Sequence, residues 1–213
     1  AAYGVSVENL KVTYDEGETI TYPNFTIKPG EKVLLTGDSG TGKSTLFKAL
    51  LGKIETKCGK ITYFDKESQP ITNASLGYLP QDPIVFPISI KDNITMFVKR
   101  TEKQLMNVVK NVELKSDLDK MPSGIDTVVN LKKNNLSGGQ RQKIVLARSE
   151  IYNQPFVLMD EVTSAIDQKA TEEIITALLK TDQTILMIAH NFTPELRAKF
   201  DQEIRLAKKG EEE

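Results

Sequence analysis

Cysteine is almost missing from this chain: Cys58 is the only one in 213 residues. A lone thiol excludes an internal disulfide and fits a reducing compartment. Placed between Lys57 and Gly59, it reads as a structural thiol in a turn. Net charge is missing too, because 28 Lys+Arg balance 29 Asp+Glu to leave -1. That removes any electrostatic argument for nucleic acid or for an acidic membrane surface. Long apolar runs are also lacking. Ile185 to Ala189 is among the longest and is far too short to cross a bilayer, and no signal peptide opens the chain. The sequence therefore predicts a soluble polypeptide. It opens Ala1-Ala2 without a methionine, which raises the expectation of a piece of a longer protein. There is no internal repeat or low-complexity tract, and the charged end from Lys208 to Glu213 predicts a frayed tail.

What the chain does have is enough apolar material, 39% of residues, to bury a real core. Val5, Val7, Val12 and Tyr14 among polar residues predict short strands, with a break at Asp15-Glu16-Gly17, a further strand from Ile20 to Ile27 and a Pro29-Gly30 turn. Lys32 to Thr36 predicts a buried strand, and Ser44 to Leu51 a helix stopped by Gly52. From Ser89 to Tyr152 the pattern is helical, with Leu105, Met106, Val108, Val109 and Val112 on one face. Phe156 to Met159 and Thr184 to Ile188 predict buried parallel strands, separated by a helix from Gln168 to about Lys180 with Asp167 as its N-cap.

Three constellations carry chemistry. The first is Gly37-Asp38-Ser39-Gly40-Thr41-Gly42-Lys43-Ser44, between a strand and a helix. A glycine-rich turn opening a helix meets a phosphate chain with backbone N–H groups and the positive end of the helix dipole. Lys43 can reach the β- and γ-phosphates, and the Ser44 hydroxyl can ligate Mg²⁺. The competing reading is a glycine turn without a ligand. The second is Asp160-Glu161, placed at the carboxyl end of a buried strand, where open α/β sheets bind ligands. Asp160 suits a metal and Glu161 an attacking water, with side-chain alternation along an extended segment separating the two. Glu161 as a simple cap of the next segment is the alternative. The third is Leu136-Ser137-Gly138-Gly139-Gln140 before a helical stretch from Arg141 to Tyr152, a second anion site at a helix start.

In this order the motifs resemble the nucleotide-binding domain of ATP-binding cassette (ABC) transporters of exporter type, over nearly the whole chain. Gly37 to Thr45 is similar to the Walker A loop, and Gln81 in Gly77-Tyr78-Leu79-Pro80-Gln81 to the Q-loop. Leu136 to Gln140 is similar to the signature, Phe156 to Glu161 to Walker B with its glutamate, Ser164 to Asp167 to the D-loop, and His190, the only histidine, to the switch histidine.

The resemblance implies an α/β P-loop NTPase core with a mainly parallel sheet, an N-terminal antiparallel β subdomain and an inserted helical subdomain. One domain would fill residues 1–213, with the core at about 1–85 and 153–213 and the helical part at about 86–152. It implies ATP and Mg²⁺ as cofactors. Tyr14 would stack on adenine, and Gly37, Asp38, Ser39, Gly40, Thr41, Gly42, Lys43, Ser44 and Thr45 would hold the phosphates. Ser137, Gly138, Gly139 and Gln140 would bind the nucleotide of a second copy in a head-to-tail dimer, Ser137 and Gly139 contacting the γ-phosphate held by its Lys43. Ser44, Gln81 and Asp160 would attend the metal; Glu161, His190, Lys43 and Gln81 would serve hydrolysis. Partners implied are a transmembrane domain and a second nucleotide-binding domain, with no nucleic acid, at the cytoplasmic face of the membrane. Packing for Tyr14, a plain loop residue for Gln81, a structural role for His190 and a mere N-cap for Asp167 stay open. So do a soluble ABC ATPase of translation or chromosomes, an importer subunit, and a module that closes without turnover. Two departures stand out: Ile88 where exporters commonly carry glycine, and Asn130-Leu131-Lys132-Lys133 where they tend to carry Gly-Glu-x-Gly.

Overall fold

The computed structural model describes residues 1–14 and 17–207, which fall into two compact units. The first comprises Ala1–Tyr78, Pro155–Asp160 and the segment from Asp182 on; the second comprises Leu79–Gln154 and Glu161–Thr181. The tail expected to fray at Lys208 to Glu213 lies outside the described residues, as do Asp15 and Glu16 of the expected break.

In chain order the elements are β1 (Gly4–Tyr14), β2 (Glu18–Thr21), β3 (Phe25–Ile27), β4 (Lys32–Thr36), α1 (Lys43–Leu50), β5 (Cys58–Phe64), β6 (Pro70–Ile71) and β7 (Gly77–Leu79). Then come α2 (Ile90–Thr95), α3 (Glu102–Asn111), α4 (Lys115–Asp119), α5 (Gly138–Tyr152), β8 (Phe156–Asp160), α6 (Gln168–Leu178), β9 (Thr184–Ile188), α7 (Pro194–Arg197) and β10 (Gln202–Arg205).

The first unit holds an antiparallel sheet, β2-β1-β5-β6 with β3 also on β1, and a second sheet in the order β10-β4-β9-β8-β7. Strand β1 buries Val5 and Val7, then Leu10 and Val12. The parity of the inward residues changes between them because the pairing with β5 shifts between Glu8 and Lys11, where Asn9 turns left-handed at φ 50. The strand expected from Ile20 to Ile27 is two. Pro23 has no N–H to give a ladder, and β2 pairs Lys11 to Tyr14 while β3 pairs Val5 to Val7. Cys58, expected in a turn, opens β5 opposite Lys11 and is exposed.

In the second sheet β10, β4, β9 and β8 run parallel. Strands β4, β8 and β9 are buried along nearly their whole length, as their unbroken apolar runs require. One core joins Val5, Val7 and Ile27 to Val33 and Leu35, to Leu46, Phe47 and Leu50 of α1, and to Phe156, Leu158, Leu186 and Ile188. The sheet ends at Thr36, Asp160 and Ile188 are thereby fixed side by side.

The second unit is helical. Thr101 and Gln104 form a reciprocal capping box that starts α3, and α3 buries Leu105, Val108 and Val109 as the spacing predicts, while Met106, expected on the same face, is half-buried. Asn93 of α2 is fully buried. It accepts from the Phe86 amide at 2.8 Å and donates to the Phe86 and Ser89 carbonyls at 3.0 Å, while Arg148 of α5 donates to the Asn93 carbonyl at 2.7 Å. An asparagine and an arginine thus fix the loop after Gln81 onto helix α5.

Candidate functional site

Beyond Thr36 the chain of the first unit turns through Gly37 to Gly42 into α1. A β-carbon on Gly37 would stand 2.5 Å from the Leu206 carbonyl oxygen, and its φ of +143 suits only glycine. Thr41 Oγ1 donates to the Asp38 carbonyl at 2.8 Å, and Tyr22 donates its hydroxyl proton to the Gly42 carbonyl at 2.8 Å. Lys43 is 8% exposed as a residue, and its ammonium donates to the carbonyls of Gly37 and of Asp38, the latter at 3.1 Å. The loop therefore wraps its own lysine. Asp38, Ser39, Gly40 and Ser44 are exposed and Thr45 is half-buried, while Thr41 and Lys43 are buried, so the solvent-facing side of the loop is its Asp38-to-Gly40 tip and Ser44.

Asp160 ends β8 half-buried. Its carboxylate acts on Tyr78, whose hydroxyl is pushed above its ordinary pKa first by burial and then by this negative charge. His190 follows β9 and is exposed. It lines a cavity of about 250 Å³ together with Thr36, Gly37, Asp38, Arg197 and Arg205. The expected switch histidine and the start of the phosphate loop therefore share one opening at the sheet's carboxyl end. Tyr14 closes β1, and its expected stacking role falls on a side chain outside the described residues.

Mg²⁺ asks for hard oxygen ligands and keeps several waters, taking one or two protein oxygens beside phosphates. No group of three or more His, Cys, Asp or Glu converges among the described residues. Within the first unit, the Asp160 carboxylate and the Ser44 hydroxyl are hard oxygen donors of the sparse kind Mg²⁺ accepts, so the residues fit the metal.

In the second unit Ser137 is the N-cap of α5. Its hydroxyl oxygen accepts from the Gln140 amide at 3.1 Å, and Gln140 Oε1 accepts from the Ser137 amide at 2.9 Å. Gln140 Nε2 also donates to Asp117 at 3.1 Å, and Lys143 pairs with Asp117 at 2.9 Å. Gly139 lies so near the turn after Glu161 that a β-carbon would stand 2.7 Å from the Ala165 carbonyl. Asp167 caps α6 by accepting from the Ala170 amide at 2.9 Å, as expected. Glu161 is separated from Asp160 not by extended alternation but by a left-handed backbone, φ 50. The strand ends at Asp160 and the chain reverses its twist in one residue.

Gln142 is the residue that sequence reasoning missed. It is 4% exposed and touches the backbone of Gln81, Glu161 and Ala165 and the hydroxyl of Ser164. The signal was available: it lies three and four residues before Val145 and Leu146, a polar side chain on a buried helix face.

Residues 20–164 match the family model described as ABC transporter. The chain belongs to the ABC transporter family. Among curated relatives, the mesentericin transport/processing ATP-binding protein MesD of Leuconostoc mesenteroides is 35% identical over 85% of this chain and 26% of its own length. The multidrug resistance-like ATP-binding protein MdlB of Buchnera aphidicola is 34% identical over 91% of this chain and 35% of its own. A solved bacterial Atm1-family ABC exporter with ATP bound superimposes with a TM-score of 0.79 at 26% identity, covering 97% of this chain and 38% of that one. The chain thus spans about a quarter to a third of the curated relatives it matches. Its α/β ABC ATPase fold and its character as the ATP-binding module of this family follow. No helix among the described residues is long and apolar enough to cross a membrane.

Proposed function

We propose that this ABC module hydrolyses ATP within a head-to-tail pair and powers export through a transmembrane domain, carried on its parent chain or on a partner, at the cytoplasmic face of the membrane. One observation carries the reading. The chain builds two helix starts suited to anions, the glycine loop before α1 in one unit and the Ser137-capped start of α5 in the other. A single nucleotide does not need both, whereas two copies facing each other would use one of each per ATP.

In this reading Tyr14 stacks on the base, and the amides of Gly40 to Thr45 with Lys43 hold the β- and γ-phosphates. Ser44, Asp160 and Gln81 would hold Mg²⁺, which would supply neutralisation of phosphate charge. Glu161 accepts a proton from the attacking water as its oxygen bonds to the γ-phosphorus and the bond to ADP breaks. His190 donates toward the γ-phosphate edge, and Ser137 and Gly139 of the second copy close over it. Loss of the shared phosphate then weakens the pair, a differential affinity that can drive attached domains.

Exposed apolar side chains on the helical unit support a protein partner there: Ile84, Phe86, Phe97, Val98, Val128 and Leu131. Relatives named for transport/processing and for multidrug resistance, and the exporter named above, support transport outward.

Glu161→Gln is the direct test. Light scattering with ATP and Mg²⁺ should show a stable dimer, and phosphate release should fall by roughly a hundredfold or more. A variant that stays monomeric at high protein and ATP concentrations, or that still turns over, defeats the reading.

A further inference from the structure

We propose that Gln142 is a positioning residue for hydrolysis: its side-chain amide sets the backbone of Glu161 against that of Gln81 by dividing one proton between their carbonyls. This rests on the reading that Glu161 polarises the attacking water and that Gln81 attends the metal.

The orientation of the amide is fixed by its surroundings. The Ala165 N–H donates to Oε1 at 2.9 Å, so a flipped amide would set N–H against N–H. Nε2 therefore faces three oxygens: Ser164 Oγ at 3.0 Å, the Gln81 carbonyl at 3.4 Å and the Glu161 carbonyl at 3.4 Å. It has two protons for them. Ser164, at ordinary hydrogen-bond length, takes one. The two carbonyls stand at the same longer distance and contend for the other, so neither bond is fully made.

The contest is buried, with Gln142 only 4% exposed, so water does not readily replace a lost donor. A small retreat of the Gln81 backbone hands the proton to the Glu161 carbonyl; an approach takes it away. That carbonyl also accepts from the Ser164 amide at 3.2 Å, and its direction sets ψ at Glu161. With φ left-handed at 50, ψ fixes how the Glu161 side chain sits relative to the peptide that follows it, and so relative to the Ser164-Ala165 turn. Gln142 thus ties the aim of the glutamate to the place of the Q-loop, and holds the Ser164-Ala165 turn in the same grip.

Two variants of the full chain test this beside Glu161→Gln. Gln142→Met keeps length and burial but removes every polar contact; Gln142→Glu keeps shape and the acceptor for the Ala165 amide but replaces the amide donor by a carboxyl oxygen facing the same three oxygens. Turnover at saturating Mg·ATP, equilibrium binding of labelled ATP and thermal melting are read for each. Both should lose turnover on the order of tenfold or more, as misaimed catalytic groups do, while ATP affinity stays near that of the parent, because the phosphate loop belongs to the other unit. A residue that only fills the core would shift melting and leave turnover of the folded protein unchanged, and that result overturns the proposal. If Glu161→Gln is inactive and both Gln142 variants turn over like the parent, this inference alone falls. If Glu161→Gln itself turns over, the reading beneath it falls as well.

Discussion

The Ala165 carbonyl oxygen occupies the space beside Gly139 so closely that a β-carbon there would lie 2.7 Å from it. The start of α5 and the turn after Glu161 are therefore packed backbone to backbone. Gly139→Ala forces one of them to move, and overpacking of this kind costs about 1–3 kcal/mol. Because the shift falls on the start of α5 and on the turn after Glu161, which the proposed function places at the nucleotide, turnover should drop roughly tenfold while ATP binding stays near parental. Urea unfolding and labelled-ATP binding check the two halves of the statement. An alanine variant as stable and as active as the parent would show that the approach is not a constraint.

Asn93 is the second place where one side chain carries a loop. Its amide serves Phe86 in both directions, donates to Ile88 and Ser89, and takes a longer contact from Arg148 at 3.3 Å. Asn93→Ala leaves the Phe86 amide without its acceptor, while the Phe86, Ile88 and Ser89 carbonyls each keep a backbone donor, at about 1–3 kcal/mol in total. Arg148→Ala removes donors to the Asn93 and Ile84 carbonyls and the cation 5.6 Å from the Phe86 ring, but Arg148 is only half-buried where Asn93 is fully buried, so it should cost less. Chemical denaturation of both variants should rank them in that order.

Much of this was legible in the sequence because it was local. The apolar runs of β4, β8 and β9, the N-cap at Asp167 and the glycine turn before α1 all declare themselves within a few residues. Strands β5, β6 and β10 did not, since they are largely exposed or half-buried and owe their form to pairing with distant partners. The bulge that splits β1 was equally hidden, because it is set by where β2, β3 and β5 meet that strand. Gln142 shows the limit most clearly: its partners lie 61, 19, 22 and 23 residues away, and no spacing rule joins them.

Lys43 donates to the Gly37 and Asp38 carbonyls, inside the loop that it would share with a nucleotide. A charged hydrogen bond to phosphate is worth about 1.5–3 kcal/mol, so Lys43→Ala should weaken ATP binding roughly tenfold to a hundredfold. Isothermal titration with Mg·ATP measures this directly. Unchanged affinity and turnover would remove the phosphate-loop assignment.

Glu150 gives the chain a pH dependence whose sign is fixed by its setting. Burial raises its pKa above the ordinary 4.5, opposed by the hydrogen bond that Asn111 donates to its carboxylate. A carboxyl with a raised folded pKa binds its proton more tightly in the fold than in the unfolded chain. Its favourable contribution is complete below the unfolded pKa and is lost as pH rises through the folded value. Glu150→Gln retains an oxygen to accept from Asn111 and has no charge to bury. The stability difference between variant and parent should therefore grow in favour of glutamine from about pH 4 to about pH 7, read as paired thermal melts across that range. A difference that stays flat would mean that Glu150 is solvated enough to ionise without cost, and that Asn111 compensates its burial in full.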